Sequence, residues 1–362
     1  MAKSANSDSR QSSPFNRRAQ HDAKRQAILS QAARLFNSKG SRATTLKDIA
    51  QSLGLTKTSL YYYVKTKEEL IYQCYMAALE HHHTQLDSIE AQHQTPAARC
   101  SAYFLQHFDN WLAAREGRGP HIAALLEVAS LKGGHRTEVE NRFVDLFKRL
   151  RGYLQAGIED GSFRHCEPTA TTRAILGSVE WTFFWLRELP AEQLATTALE
   201  ALDILTHGLY SGQAEYQPCS FELPTVDDVN LHGFNRQQQN RLKQEAFYKT
   251  GTRFFNRQGF DGTSLDEIAD DLNVSKGAFY YHIRNKEDLL RRCYQYSLDI
   301  VEEIYSEAAQ VSGSGLQKVE RTCRHTFRVQ NSSRGPLIRY NSITALPRQV
   351  REPIVDRTER AN

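Results

Sequence analysis

The sequence predicts an all-α chain carrying two helix-turn-helix units. Three observations predict it. Apolar residues recur at helical spacing along most of the chain, and no segment sustains the two-residue alternation of a half-buried strand. The stretch Thr45-Leu-Lys-Asp-Ile-Ala-Gln-Ser-Leu-Gly-Leu-Thr-Lys-Thr-Ser-Leu-Tyr-Tyr-Tyr-Val64 reads as two short helices joined by a tight turn. It returns, without insertion, as Ser264-Leu-Asp-Glu-Ile-Ala-Asp-Asp-Leu-Asn-Val-Ser-Lys-Gly-Ala-Phe-Tyr-Tyr-His-Ile283.

The elements follow in order. Residues 1–20 are rich in Ser, Asn, Gln and Arg and are expected to form a disordered basic arm. From Ala23 to Ser38 the positions Ile28, Ala32, Leu35 and Phe36 predict a helix, which Gly40 stops. Thr45 can cap the next helix, and Asp48 three residues on completes a capping-box pattern. Ile49, Ala50 and Leu53 supply its inner face, and Gly54 allows a left-handed exit. Thr56 then opens a second helix whose Leu60 and Val64 point inward. Lys57, Thr58, Ser59, Tyr61, Tyr62 and Tyr63 are left on its surface. Polar and aromatic groups crowded at the start of such a helix suit contact with a DNA groove; an ordinary pair of packed helices is the plainer reading, and the recurrence of the stretch weighs against it. Thr66-Lys-Glu-Glu69 reads as another capping box, launching a long helix through Leu70, Ile71, Cys74 and Tyr75 toward His83.

Further helices are expected from Pro96, from Gly119-Pro120, over about 137–158, over about 168–187 and over about 192–210. Residues 212–236 hold Gly212, Pro218, Pro224 and Gly233 with little helical pattern and read as a linker. The pattern then restarts: Phe247, Phe254, Phe255 and Gly259 stand 219 positions after Ile28, Leu35, Phe36 and Gly40. The register holds to Tyr294, opposite Tyr75, and Gly335-Pro336 answers Gly119-Pro120. The organisation expected is a first head over 21–81, a helical domain over 82–211, the linker, a second head over 237–300 and a partial helical domain over 301–362. On that register the second copy is expected to lack a counterpart of about 150–210.

Composition bounds the function. At 362 residues the chain exceeds one typical domain, and 40% hydrophobic with 24% charged residues is ordinary for a globular protein. A net charge of +4 permits an anionic partner without requiring one. Six cysteines lie far apart without CxxC or zinc-finger spacing, which fits thiols in a reducing compartment. Residues 1–19 lack the apolar core of a signal peptide, and no apolar run approaches the ~20 residues a membrane span needs. A cytoplasmic protein is expected. No Gly-rich phosphate loop, metal-ligand spacing or nucleophile motif is present, so neither an enzyme nor a bound cofactor or metal is expected. His81-His82-His83 point to different faces of one helix and read as a solvated surface.

The repeat resembles the tetracycline-repressor (TetR) family of bacterial transcription regulators. The residues that carry the resemblance are Thr45-Leu-Lys-Asp-Ile-Ala, Leu60-Tyr-Tyr-Tyr-Val and Lys67-Glu-Glu-Leu70. In the second copy they are Ser264-Leu-Asp-Glu-Ile-Ala, Phe279-Tyr-Tyr-His-Ile and Lys286-Glu-Asp-Leu289. Two departures stand out: the chain carries two motifs where the family usually has one, and Asn273 replaces Gly54, a residue that can also turn left-handed.

The resemblance implies double-stranded operator DNA as partner and Thr45, Thr56, Lys57, Thr58, Ser59, Tyr61, Tyr62, Tyr63 and Lys67 as the first contact surface. The second would be Ser264, Ser275, Lys276, Gly277, Ala278, Tyr280, Tyr281, His282 and Lys286. Thr45, Ser264, Lys67 and Lys286 would meet phosphate. It further implies an unknown small-molecule effector held among Phe104, His107, Trp111, Glu127, Trp181 and Trp185, where plain core is the competing reading. A homodimer through helices near 168–187 and 192–210, a repressor function and a place on the bacterial nucleoid complete the expectation. Because Thr58-Ser59 becomes Gly277-Ala278 and Tyr63 becomes His282, the two heads are expected to prefer different half-sites. The alternative is that the incomplete second copy mainly docks on another regulator.

Overall fold

The computed structural model describes residues 14–186, 189–209, 216–218 and 236–361. All regular elements among them are helical, and they fall into two compact units. One holds the described residues up to Ala124 together with Asn141–Ala195. The other holds Leu125–Glu140 together with those from Thr196 on. The predicted linker lies almost wholly outside the described residues, as does the arm before Pro14.

The first unit opens with α1 (Pro14–Lys39). It begins nine residues before the predicted start at Ala23, so residues 14–20 are helix and not disordered arm. Proline suits a first helical turn, and nothing between it and Gly40 breaks the helix. Gly40 (φ 79°) ends it with its N–H on the Phe36 carbonyl. The short α2 (Leu46–Ser52) and α3 (Lys57–Tyr61) follow, then α4 (Lys67–Gln92). Ile28, Ala32, Ile49, Leu60, Val64, Leu70 and Cys74 are almost fully buried and form the inside of this head. Each large aliphatic side chain so buried contributes about 1.5–3 kcal/mol of gross stabilisation. Gly54 takes the predicted positive φ (66°).

Two later expectations are corrected. Thr66 does cap α4 by accepting from the Glu69 N–H, but the Glu69 carboxylate accepts from the Lys65 N–H instead of closing a box on Thr66. After α5 (Pro96–Arg115) no helix opens at Gly119-Pro120. The Arg118 and Gly119 N–H groups both turn back to the Ala113 carbonyl, and the strand-like strap that follows bonds to α1 instead of to its own carbonyls. Ser30 Oγ accepts from the His121 N–H (2.9 Å). The Asn37 amide donates to the Ile122 carbonyl (2.7 Å) and accepts from the Ala124 N–H (3.0 Å).

The helix α6 (Gly133–Glu159) passes from the second unit into the first, and Gly161 (φ 77°) closes it. Next come α7 (Pro168–Trp185) and α8 (Leu194–His207), most of α8 belonging to the second unit.

In the second unit α9 (Arg236–Gly262) breaks at Gly259 (φ 70°, ψ 177°) and is followed by α10 (Leu265–Asp271), α11 (Lys276–His282) and α12 (Lys286–Gln310). Phe247, Ile268, Phe279, Ile283, Leu289 and Cys293 repeat the buried frame of the first head at the same register, and Phe255 joins them in the core. Asn273 (φ 53°) takes the left-handed turn that Gly54 takes in the first copy. Then come α13 (Gly315–Gln330), a second strap, a 3₁₀ turn at Tyr340–Ala345 and α14 (Arg348–Ala361). The second strap copies the first: Asn256 donates to the Leu337 carbonyl and accepts from the Arg339 N–H, both at 2.8 Å. Ile343, Leu346 and Ile354 close the core from beyond it.

Candidate nucleic-acid interfaces

Each head holds its second helix by one buried pair, Leu60 with Val64 and Phe279 with Ile283, which leaves the opposite face to solvent. Tyr62 is 76% exposed and Tyr281 86%. An exposed tyrosine at the same register of both repeats is costly surface for a head to keep without a partner, and its ring and hydroxyl suit thymine methyls and phosphate. Tyr61 and Tyr280 are also exposed. Thr56 caps α3 by accepting from the Ser59 N–H (3.1 Å), and the two hydroxyls touch at 2.8 Å. Ser275 caps α11 on the Ala278 N–H (3.2 Å). Lys57, Thr58, Gly277 and Ala278 stand exposed at these helix starts, and a Cβ at Gly277 would meet open space.

Other predicted residues have internal work. Thr45 accepts from the Asp48 N–H and donates to the Asp48 carboxylate, which also accepts from the Thr45 N–H. Those bonds, the backbone one first, hold the Asp48 carboxyl below the usual range. Ser264 caps α10 by accepting from the Glu267 N–H. The Lys67 ammonium donates to the Ser41 carbonyl (3.1 Å). Lys286 donates to the Thr263 carbonyl (2.9 Å) and lies over the Phe260 ring. Both lysines therefore tie the long helix behind the head to the loop before its first short helix. Tyr63 and His282 turn toward helix one: Tyr63 stacks on His21 (5.0 Å between centroids), and His282 packs on Phe247 (5.6 Å). Both are half-buried, and neither presents itself as a base reader.

One residue pair was missed in the sequence. Lys47 and Asp266 occupy the same repeat position, so the charge there reverses. In the first head Lys57 lies over the Tyr61 ring (5.4 Å). In the second the equivalent Lys276 is paired with the Asp266 carboxylate (2.6 Å), which also accepts from the Tyr280 hydroxyl (3.3 Å). Aligning the two copies residue by residue exposes this reversal.

The profile of the bacterial regulatory proteins of the tetR family matches residues 28–74 and again 247–293, and that of the tetracyclin repressor-like C-terminal domain matches 104–209. Among curated proteins, the HTH-type transcriptional regulator YfiR of Bacillus subtilis is 31% identical over 156 residues, 42% of this chain and 74% of that one. The chain belongs to the TetR family. The HTH-type transcriptional repressor KstR2 of Rhodococcus jostii is 27% identical over 195 residues, 52% of this chain and 92% of its own. The solved structure of KstR2 from Mycobacterium tuberculosis superposes with a TM-score of 0.43 at 23% identity, over 51% of this chain and 94% of that one. As a TetR-family member the protein is a DNA-binding transcriptional regulator and not an enzyme. No helix among the described residues is long and apolar enough to cross a membrane.

In this TetR-family chain the region behind the first head contains a polar interior. The Thr182 hydroxyl donates to the Val179 carbonyl (2.6 Å), so it accepts from His107 Nε2 (2.6 Å), which fixes the His107 tautomer. Burial pushes His107 down to about 4 and His82 to about 3, with the neighbouring His107 adding to the latter. Burial also pushes the Glu180 carboxyl up to about 7. Phe104 is buried against Phe108. The predicted pocket residues are divided between the two units. Glu127 belongs to the second unit, where it accepts from the Thr344 hydroxyl (3.2 Å). It sits on the strap and 3₁₀ turn (Val128–Ser130) that replaced the expected helix. Trp111 carries the Arg115 guanidinium over its ring, Trp181 is exposed, and the Trp185 side chain lies outside the described residues.

The three consecutive histidines are not a solvated surface. His81 accepts from the Asn110 amide (3.1 Å), Tyr103 reaches His82 (3.4 Å), and His83 donates to the Arg142 carbonyl (3.3 Å) while accepting from Arg149. Helices α5 and α6 cover faces that the local pattern of α4 alone leaves open. The result is three rings with different partners and no common centre.

Proposed function

We propose that this TetR-family regulator is a ligand-responsive repressor that places both heads on one operator, and that the heads prefer different half-sites. The observation that carries this is the pairing of one buried frame with two different outer faces. Tyr62 and Tyr281 share an exposed register, while Lys47, Thr58 and Ser59 of the first copy are replaced by Asp266, Gly277 and Ala278 in the second. A hydroxyl-bearing helix start offers hydrogen bonds to base edges, whereas glycine and alanine offer close approach and a methyl contact. The repressor reading follows the names of KstR2 and of the icaADBC negative regulator IcaR of Staphylococcus epidermidis, 33% identical over 63 residues. An effector held among Phe104, His107 and their neighbours would favour a conformer whose heads no longer match the half-site spacing. Exposed Leu199, Ile204 and Leu209 on and beyond α8 support a homodimer through the helices near 168–187 and 192–210. A place on the nucleoid in the cytoplasm follows from these roles.

Site selection from a random duplex pool tests the reading, using the full chain with either Lys57 and Tyr62 or Lys276 and Tyr281 replaced by Ala. Each disabled head should leave the half-site of the other, and the two should differ. Identical selected half-sites would overturn the claim of different preferences. Selection unaffected by losing Lys276 and Tyr281 would favour a second copy that docks on protein instead.

A further inference from the structure

The two heads differ most in charge. Over residues 45–67, Lys47, Lys57, Lys65 and Lys67 face the single acid Asp48, a net +3. Over 264–286, Lys276, Arg284 and Lys286 face Asp266, Glu267, Asp270 and Asp271, a net −1. The reversal is concentrated where it touches the reading helix. Lys276 and Tyr280 repeat Lys57 and Tyr61, yet only the second pair meets a carboxylate, at 2.6 and 3.3 Å. Lys47, the first copy's residue at the Asp266 position, is exposed and positive.

We propose that Asp266 quenches the second head from within. Its carboxylate takes the two side chains that would otherwise meet a backbone phosphate, because carboxylate and phosphate oxygens accept the same charge-assisted bonds. The proposal rests on the reading that the second head meets DNA at all. Both side chains are exposed, and exposed ion pairs are weak, so a phosphate can displace the carboxylate. The second head is thereby a conditional reader. Alone it binds its half-site more weakly than the first head does and with a shallower salt dependence. Once the first head has anchored the chain, the tether raises the local concentration of DNA enough for exchange. Of the other charged groups near Lys276, Asp270 acts on it through space, and it supplies the control.

The test uses the full chain with a photocrosslinking benzophenone residue replacing Tyr62 or Tyr281. The probe is a random-sequence duplex of about 30 base pairs titrated with potassium chloride, where each freed phosphate contact steepens the log–log slope by about 0.9. Crosslinking from position 281 should be weaker than from 62. D266N should raise it severalfold and steepen the slope by about 0.9, and D266K should steepen it by about twice that. D270N changes the net charge as much as D266N does and should act less. Equal effects of D270N and D266N, or no effect of D266N on a clear crosslink from 281, would overturn the quench. A crosslink from 62 with none from 281 in any variant would instead overturn DNA reading by the second head, and the quench with it. Unchanged thermal unfolding is expected for D266K, since Lys47 occupies the same helix position in the first copy.

Discussion

At the scale of single residues, the heads divide their side chains between holding the motif and facing outward. Tyr62 and Tyr281 are mostly solvent-exposed, so Tyr62→Ala should leave the thermal midpoint within about 1 °C. It should weaken operator binding by about 1 kcal/mol, roughly fivefold, measured by fluorescence anisotropy. Lys67→Ala should behave differently. Its ammonium holds the Ser41 carbonyl, so stability should fall together with affinity. Inside the first unit, titration links the polar interior to stability. His107 is pushed down to about 4, so its contribution is intact above the ordinary histidine range near 6.5 and is lost as pH falls from there toward 4. Full loss is of order 3 kcal/mol. Glu180 runs the other way. Its carboxyl is raised to about 7, so its contribution is complete below about 4.5 and disappears as pH rises through 7. Denaturant titration at several pH values should therefore show that His107→Gln flattens the acid limb. Glu180→Gln should stabilise at pH 8 and change little at pH 4.

At the scale of elements, the copies serve as controls for each other. Gly251 in α9 occupies the place of Ala32 in α1. A Cβ there would lie 3.0 Å from Leu289 and 3.2 Å from Cys293, the counterparts of Leu70 and Cys74. The first copy packs an alanine against that same pair with no exposed surface, so the contact can relax. Gly251→Ala should stabilise the second unit by about 0.5–1 kcal/mol, the ordinary gain for glycine to alanine within a helix. A loss of stability in urea denaturation would show that the second head packs its helices more closely than the first. The straps make the complementary case. Each asparagine amide makes two hydrogen bonds to strap backbone, so Asn37→Ala or Asn256→Ala should cost about 1–3 kcal/mol. The heads were legible in the sequence because their caps, turns and inner faces are local patterns of fewer than thirty residues. The straps were not. Gly119-Pro120 with Ile122, Leu125 and Val128 has helical spacing, and what prevents a helix is Asn37, more than eighty residues away. The three histidines after Glu80 failed for the same reason, since their partners come from α5 and α6. The charge reversal at Lys47 and Asp266 lay in plain view and needed only comparison of the copies.

At the scale of the whole molecule, a modest +4 conceals an uneven distribution, with a basic first reading stretch and a slightly acidic second one. An anchored head followed by a conditional one makes tethering, and not the affinity of either head, the main determinant of operator occupancy. Dimerisation would then set the number of heads at four and make their spacing decisive. The exposed aliphatic residues of α8 give a direct way to separate these contributions. Leu199 is 58% exposed and Ile204 47%, more than a helix without a partner gains from presenting to water. Leu199→Glu combined with Ile204→Glu should leave the helical signal in circular dichroism intact and convert a dimer to a monomer in sedimentation velocity. It should also lower operator affinity by at least tenfold while leaving binding to a single half-site unchanged. If the mass in solution is the same before and after the substitutions, α8 is not the dimer contact. Equal loss on full operator and half-site would mean that the substitutions damaged the heads, and the tethering account would not stand on them.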